Sequence, residues 1–252
     1  MKQIITTALL LLPGLYHAQH KLKGKLSFDF GYSFHQYQMT SLNENFIDYY
    51  ITEIEVLEDR ITTGRSVNIG IGFSIYRYIE NRINFCYDRG ITESITPINL
   101  INVQDVEATY HYVARSRAFS LSFGTQFYLN QIDFLKPKSE FSFFNRLHYG
   151  PDFNIGYGFG NFTVHGAIPS ENIYREFLFK ANGMKYQIGF RSEYTFGINS
   201  TLVSIGLALG YQLFETSELK HYSGDNLVGF GESTPNLDFS GWYYGIYLKL
   251  GK

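Results

Sequence analysis

The sequence predicts an all-β chain: a transmembrane antiparallel up-and-down β-barrel of eight strands, with long extracellular loops and short periplasmic turns. Three observations predict it. Apolar and polar residues alternate strictly in segment after segment, as they must on a strand with one greasy and one polar face. The links between these segments alternate between short and long. The composition is 18% aromatic, with 24 Gly, which suits a wall with aromatic girdles outside and small residues inside.

The first segment, Lys25–Tyr37, sets the pattern. Leu26, Phe28, Phe30, Tyr32 and Phe34 take every second position, with Lys25, Ser27, Asp29, Gly31, Ser33 and His35 between them. Val67, Ile69, Ile71, Phe73 and Ile75 repeat it, and after a turn read at Glu80-Asn81-Arg82 so do Ile83, Phe85 and Tyr87. Phe119, Leu121, Phe123, Phe127 and Leu129 share one face of the next strand. The following stretch keeps one parity from Phe141 and Phe143 through Leu147 and Tyr149 to Tyr157 and Phe159. Met184 to Phe190, Val203 to Leu209 and Tyr244 to Leu250 complete the set.

Short links are read at 79–82, 130–138 and 197–200, and long ones at 38–64, 94–108, 165–183 and 215–240. This rhythm puts both chain ends on the periplasmic side, and an even strand count leaves no unpaired edge in lipid. A ten-stranded alternative arises because Gly150-Pro151-Asp152 interrupts a stretch about twice as long as one bilayer crossing. The paired length of 109–129 favours eight.

Two segments organise the chain. Residues 1–18 read as a signal peptide: Lys2 precedes an apolar run from Ile4 to Leu12, Pro13-Gly14 breaks it, and a cleavage point follows Ala18. Residues 19–252 form one barrel domain. No other stretch approaches the ~18 apolar residues of a membrane helix. Cys86 is the only cysteine, so the exported domain is expected to hold without an internal disulfide. Without Lys2 the chain carries 20 Lys+Arg against 23 Asp+Glu, a balance that argues against a nucleic-acid partner.

The polar faces are dominated by Gly, Ser, Asn and Gln rather than by charge, which fits a crowded interior better than the outer faces of a soluble sandwich. The charges that do fall inward come in both signs: Asp29, Asp88, Glu140 and Glu193 against Arg146, Arg191 and Lys249, with Tyr128 among them. Charges buried in so narrow a space must pair. They are expected to form a network that fills the lumen and closes it to solutes.

Signal peptide, alternating strands, loop asymmetry and a C-terminal strand from Gly241 to Lys252 together resemble the small outer-membrane β-barrel proteins of Gram-negative bacteria. The resemblance covers the whole mature chain and is architectural. It implies location in the outer membrane and folding by the barrel-assembly machinery, which recognises a terminal strand. Family members usually end in an aromatic residue; this chain ends Leu250-Gly251-Lys252.

Arg89, Arg115 and Arg117 share the outward parity at the upper ends of neighbouring strands, where guanidinium groups can meet lipopolysaccharide phosphates. Loop 38–64 holds Glu44, Asp48, Glu53, Glu55, Glu58 and Asp59 against Arg60, and its Phe46, Ile47, Tyr49, Tyr50 and Ile51 suggest a folded hairpin extension. Loop 215–240 adds Glu215, Glu218, Asp225, Glu232 and Asp238. These acidic loops read as a solvated acidic rim, or alternatively as a surface that recognises a cation or a basic partner; an extracellular ligand is not identified. Catalytic signals are thin. His221-Tyr222-Ser223 has the His-x-Ser spacing of outer-membrane lipid A deacylases but lies in a loop, and His148 with Arg146 and Glu140 reads as a lumen salt-bridge set. His35, His111 and His165 near one rim do not fix a metal site. The expected function is therefore non-enzymatic, without cofactor or metal, in a monomer that acts through its loops in binding, adhesion or envelope integrity. The alternative is a lipid-modifying enzyme on the same scaffold; a secreted β-sandwich is a distant third.

Overall fold

A computed structural model of the 252-residue chain describes residues 25–48, 60–76, 78–99, 107–132, 146–168, 172–198, 201–227 and 234–251. The leader read at 1–18 lies outside them. Eight long strands form the wall: β1 (Lys25–Gln36), β2 (Thr63–Tyr76), β3 (Ile79–Asn99), β4 (Glu107–Phe127), β5 (Leu147–Ile168), β6 (Ile173–Ile198), β7 (Thr201–Glu218) and β10 (Gly241–Gly251). Each pairs antiparallel with its sequence neighbour, β7 pairs with both β6 and β10, and β10 pairs with β1, so the sheet closes. Two short strips, β8 (Lys220–His221) and β9 (Asn236–Asp238), attach to the extracellular parts of β6 and β7.

The count of eight is decided at Gly150-Pro151-Asp152, which lies inside the unbroken β5. Pro151 sits one residue beyond the last β4–β5 pair, Gln126↔Asp152, where the ladder to β4 has ended. A missing N–H is tolerated there. Gly150 passes so close to the Phe127 carbonyl that any Cβ would strike it.

The alternation works as a lipid-facing device. Phe85 and Leu207 are 56% and 62% exposed, whereas Asp29 on the inner face is 2% exposed. A continuous apolar belt on a closed sheet has only a bilayer to face. Replacing Phe123, which is outward and packed against Phe73 (ring centroids 6.5 Å apart), by Arg should cost ~2–4 kcal/mol near the bilayer centre. Phe123→Leu should be mild. Unfolding titrations of both variants in lipid vesicles would measure this, and equal stabilities would refute the face assignment.

Several boundaries differ from the sequence reading. Glu80-Asn81-Arg82 is not a turn: β3 begins at Ile79, and these residues pair with β2 and β4. The links read at 94–108 and 165–183 are mostly strand. β3–β4 pairing runs to Asn99↔Glu107 and β5–β6 pairing to Ile168↔Ile173. Antiparallel pairing satisfies the backbone groups that face the partner strand and water can take those that face away, so the sheet continues beyond the bilayer. The link read at 130–138 is longer, since β4 ends at Phe127 and β5 starts at Leu147; residues 133–145 lie outside the described part.

The described start of loop 38–64 is not a hairpin. An α-turn at Thr40–Leu42 runs into a π-turn at Asn43–Ile47, and both fold over the barrel mouth. Met39 makes this corner in the left-handed region (φ 43°). The Asn43 amide donates to the Ile61 carbonyl at 3.1 Å and its oxygen accepts from the Ile61 N–H at 3.0 Å, pinning the two ends of the loop together.

Candidate functional site

The lumen is occupied in two layers. The lower layer is polar and rests on the inward parity of each strand. At its centre Arg82, fully buried on β3, contacts Asp152 of β5, donates to Gln126 Oε1 at 2.9 Å and lies 3.6 Å from Asp29 Oδ2. Arg191 approaches the same Asp29 oxygen with both terminal nitrogens, at 3.2 and 3.3 Å, and stacks on Tyr247 with Cζ 3.6 Å from the ring centroid. Asn84 donates to Asn154, which donates to Asp152.

Toward the periplasm, Lys249 Nζ lies 2.7 Å from Glu80 Oε2, 3.1 Å from Glu193 Oε1 and 2.5 Å from the Tyr128 hydroxyl. The Tyr247 hydroxyl donates to Glu193 at 3.1 Å. His148 packs its ring beside Tyr128. Toward the outside, Lys185 holds Asp88 at 2.9 Å, beside Cys86 and Ser66. Among the described residues four buried cations (Arg82, Lys185, Arg191, Lys249) face five buried carboxylates (Asp29, Glu80, Asp88, Asp152, Glu193). The central void is about 50 Å³, room for a few waters.

Of the residues read as lumen charges, Asp29, Asp88, Arg191, Glu193 and Lys249 lie in this network. Glu140 lies outside the described residues. Arg146 does not line the lumen: it precedes β5 below the end of β4 and is exposed. The lumen charges read from the sequence do not include Glu80, Arg82, Asp152 and Lys185, although Lys185 does fall on the polar face of its segment. The parity that marks Asn84 and Asp88 as inward runs back through Arg82 and Glu80, and that of Gln187 runs back to Lys185. Turn-like composition hides Glu80, Arg82 and Asp152.

The upper layer is apolar. Leu42 and Phe46 from the first loop, Phe239 from the last, and Phe162 and Phe214 from the wall form a buried cluster that plugs the extracellular end. Beside it, on the inner face of the tall β4–β6 wall, a cleft of about 570 Å³ is lined by Phe46, Tyr112, Val164, Phe177, Phe179 and Arg175.

The remaining candidates separate. His35 points inward, stacked on Tyr243, whereas His111 and His165 sit at outward positions of β4 and β5, so the three do not converge. His221 Nδ1 is 2.9 Å from Ser223 Oγ, and that hydroxyl donates to Asp225 at 2.7 Å. Nucleophile activation needs the imidazole between acid and serine. Here the serine is in the middle, within a backbone turn closed by His221 N–H to Asp225 O at 2.7 Å. Of the acidic loop residues, Asp48 pairs with Arg60 at 2.6 Å in solvent, Glu215 accepts from Asn236 and Glu218 from Asn226. Glu53, Glu55, Glu58, Asp59 and Glu232 lie outside the described residues. Arg89, Arg115 and Arg117 stand on the outer surface of β3 and β4 near the extracellular edge of the belt.

No protein-family model matches the chain, nor does any curated protein sequence. Solved structures match over 90% of the chain. The attachment invasion locus protein Ail of Yersinia pestis, crystallised with the heparin analogue sucrose octasulfate, has 10% identity, 96% of its own length covered and a TM-score of 0.33. A major outer membrane protein of Thermus thermophilus has 11% identity, 98% covered and a TM-score of 0.44. The outer membrane protease OmpT of Escherichia coli has 7% identity, 93% covered and a TM-score of 0.32. With its closed ring of eight strands, apolar outer belt and charge-filled interior, this chain has the fold of a transmembrane antiparallel up-and-down β-barrel.

Proposed function

We propose that the protein is a non-enzymatic outer-membrane barrel that conducts no solute and acts through its extracellular surface, in binding, adhesion or envelope integrity. The observation that carries this reading is the double filling of the lumen. Paired charges occupy the lower half and an apolar plug occupies the upper half. A sheet of eight strands encloses little more than its own side chains, and each buried pair here resists displacement because moving one partner strands the other. What is left to interact is the outside, where the β3–β6 wall rises beyond the belt and carries the apolar cleft with Arg175. A cleft lined by aromatic side chains with one cation suits a ligand with an apolar body and an anionic group.

The purified protein should show no steady conductance in planar bilayers and no sugar uptake in a liposome-swelling assay. Stable unitary channels would overturn the reading. The lipid-modifying alternative predicts ester hydrolysis on phospholipid or lipid A micelles that Ser223→Ala abolishes; the non-enzymatic reading predicts no such hydrolysis.

A further inference from the structure

We propose that the extracellular rim carries a clamp for the phosphate groups of an outer-leaflet glycolipid, built by Arg65, Arg89, Arg115 and Arg117 on three adjacent strands. The register places Arg65 directly opposite Arg89, and Arg89 directly opposite Arg117. Arg115 is two residues along β4 on the same face, diagonal to Arg89. Asn161 continues the row on β5 and Lys180 on β6. Directly opposed side chains on one sheet face stand only ~4.5–5.5 Å apart at Cβ, and like charges so placed repel. Three arginines abreast therefore call for a counter-charge, and the carboxylate on the same face of β3, Glu93, stands diagonal to Arg115 and two rows beyond Arg65, Arg89 and Arg117. Among the described residues no ion pair includes any of the four. The Nε groups of Arg115 and Arg117 are shielded from solvent yet have no acceptor. Arg65 rests over the Phe34 ring, 6.0 Å from its centroid, so its guanidinium is directed along the wall.

The height of the cluster identifies the anion. The next outward row toward the periplasm is Val67, Tyr87, Phe119 and Phe159, with the Tyr87 and Phe119 rings 4.8 Å apart. The guanidinium groups thus stand directly above the apolar belt on the extracellular side, where acyl chains give way to headgroups. A guanidinium fork donates two parallel hydrogen bonds and matches phosphate geometry. The aromatic row below offers a surface for the acyl chains of the same molecule, which a free phosphate ion lacks. This inference depends on the orientation of the barrel and not on what the extracellular cleft binds.

The test titrates the intact protein in detergent with bisphosphorylated lipid A and with the same lipid stripped of phosphate. The phosphorylated lipid should bind at least about tenfold tighter, since each guanidinium–phosphate pair is a charge-assisted contact, and the preference should shrink as salt is raised. Arg65→Gln/Arg89→Gln/Arg117→Gln should lose the preference, Arg117→Gln alone should lose part of it, and Arg146→Gln, at the opposite end, should keep it. Without lipid the triple variant should melt no lower than the native protein, because a repulsive row has been removed. Equal binding of the two lipids, an unchanged preference in the triple variant, or displacement of the lipid by millimolar inorganic phosphate would each overturn the proposal.

Discussion

Arg82→Met should destabilise the folded barrel by ~3–5 kcal/mol, the cost of leaving buried charges without their partner. Arg82 is fully buried and serves two carboxylates on two other strands, Asp29 on β1 and Asp152 on β5. Asp29 keeps Arg191 when Arg82 is lost, but Asp152 keeps only the amide of Asn154. Most of the penalty therefore falls on Asp152. Asp152→Asn in the Arg82→Met background should recover a large part of it, because the stranded charge is then gone. Arg82→Lys should lie between, retaining the charge but losing the fork that also reaches Gln126. Trp242, the only tryptophan, lies on the outer face and reports unfolding in urea by fluorescence. A loss below about 1 kcal/mol for Arg82→Met, within the range of an exposed pair, would show that the lumen centre is wetter and looser than the geometry implies.

The same residue shows how far the sequence can be read. Period-two alternation is a direct record of which side of a wall a residue faces, so parity alone places Asp29, Asp88, Arg191, Glu193 and Lys249 inward. Parity fails at strand ends, because polar residues near Gly, Asn or Pro look the same in a turn and in a strand whose partner continues. Glu80 and Arg82 read as turn for that reason, and Asp152 sits beside Pro151. Strand length is similarly hidden. The bilayer fixes a minimum, but β3 to β6 run on through water for as long as each has a partner, and pairing is a property of two segments at once. The folding-in of Leu42 and Phe46 is the least legible step. Apolar residues in a loop say that something covers them, and only the three-dimensional mouth of the barrel, with Phe162, Phe214 and Phe239 beneath, says what.

That upper plug makes a second large prediction. Phe239 is fully buried; its ring stacks on Phe214 with centroids 5.5 Å apart and meets Tyr37 edge-on at 5.2 Å. Its backbone is fixed as well, with its N–H donating to the Phe214 carbonyl and its carbonyl accepting from Gln212. Because the surroundings cannot collapse onto a smaller side chain, Phe239→Ala should cost ~3–5 kcal/mol, as for a large aromatic removed from a packed core. Phe239→Leu should be much milder. The loss should also be local. Proteolysis of the extracellular loops in membrane-embedded protein should speed up, since the cluster anchors both the first and the last of them. Yet the variant should remain non-conducting, because the Arg82, Arg191 and Lys249 pairs below the plug still obstruct the lumen. If Phe239→Ala opened a steady channel, closure would belong to the apolar plug alone, and the ion-pair layer would be a packing device without a role in sealing the barrel.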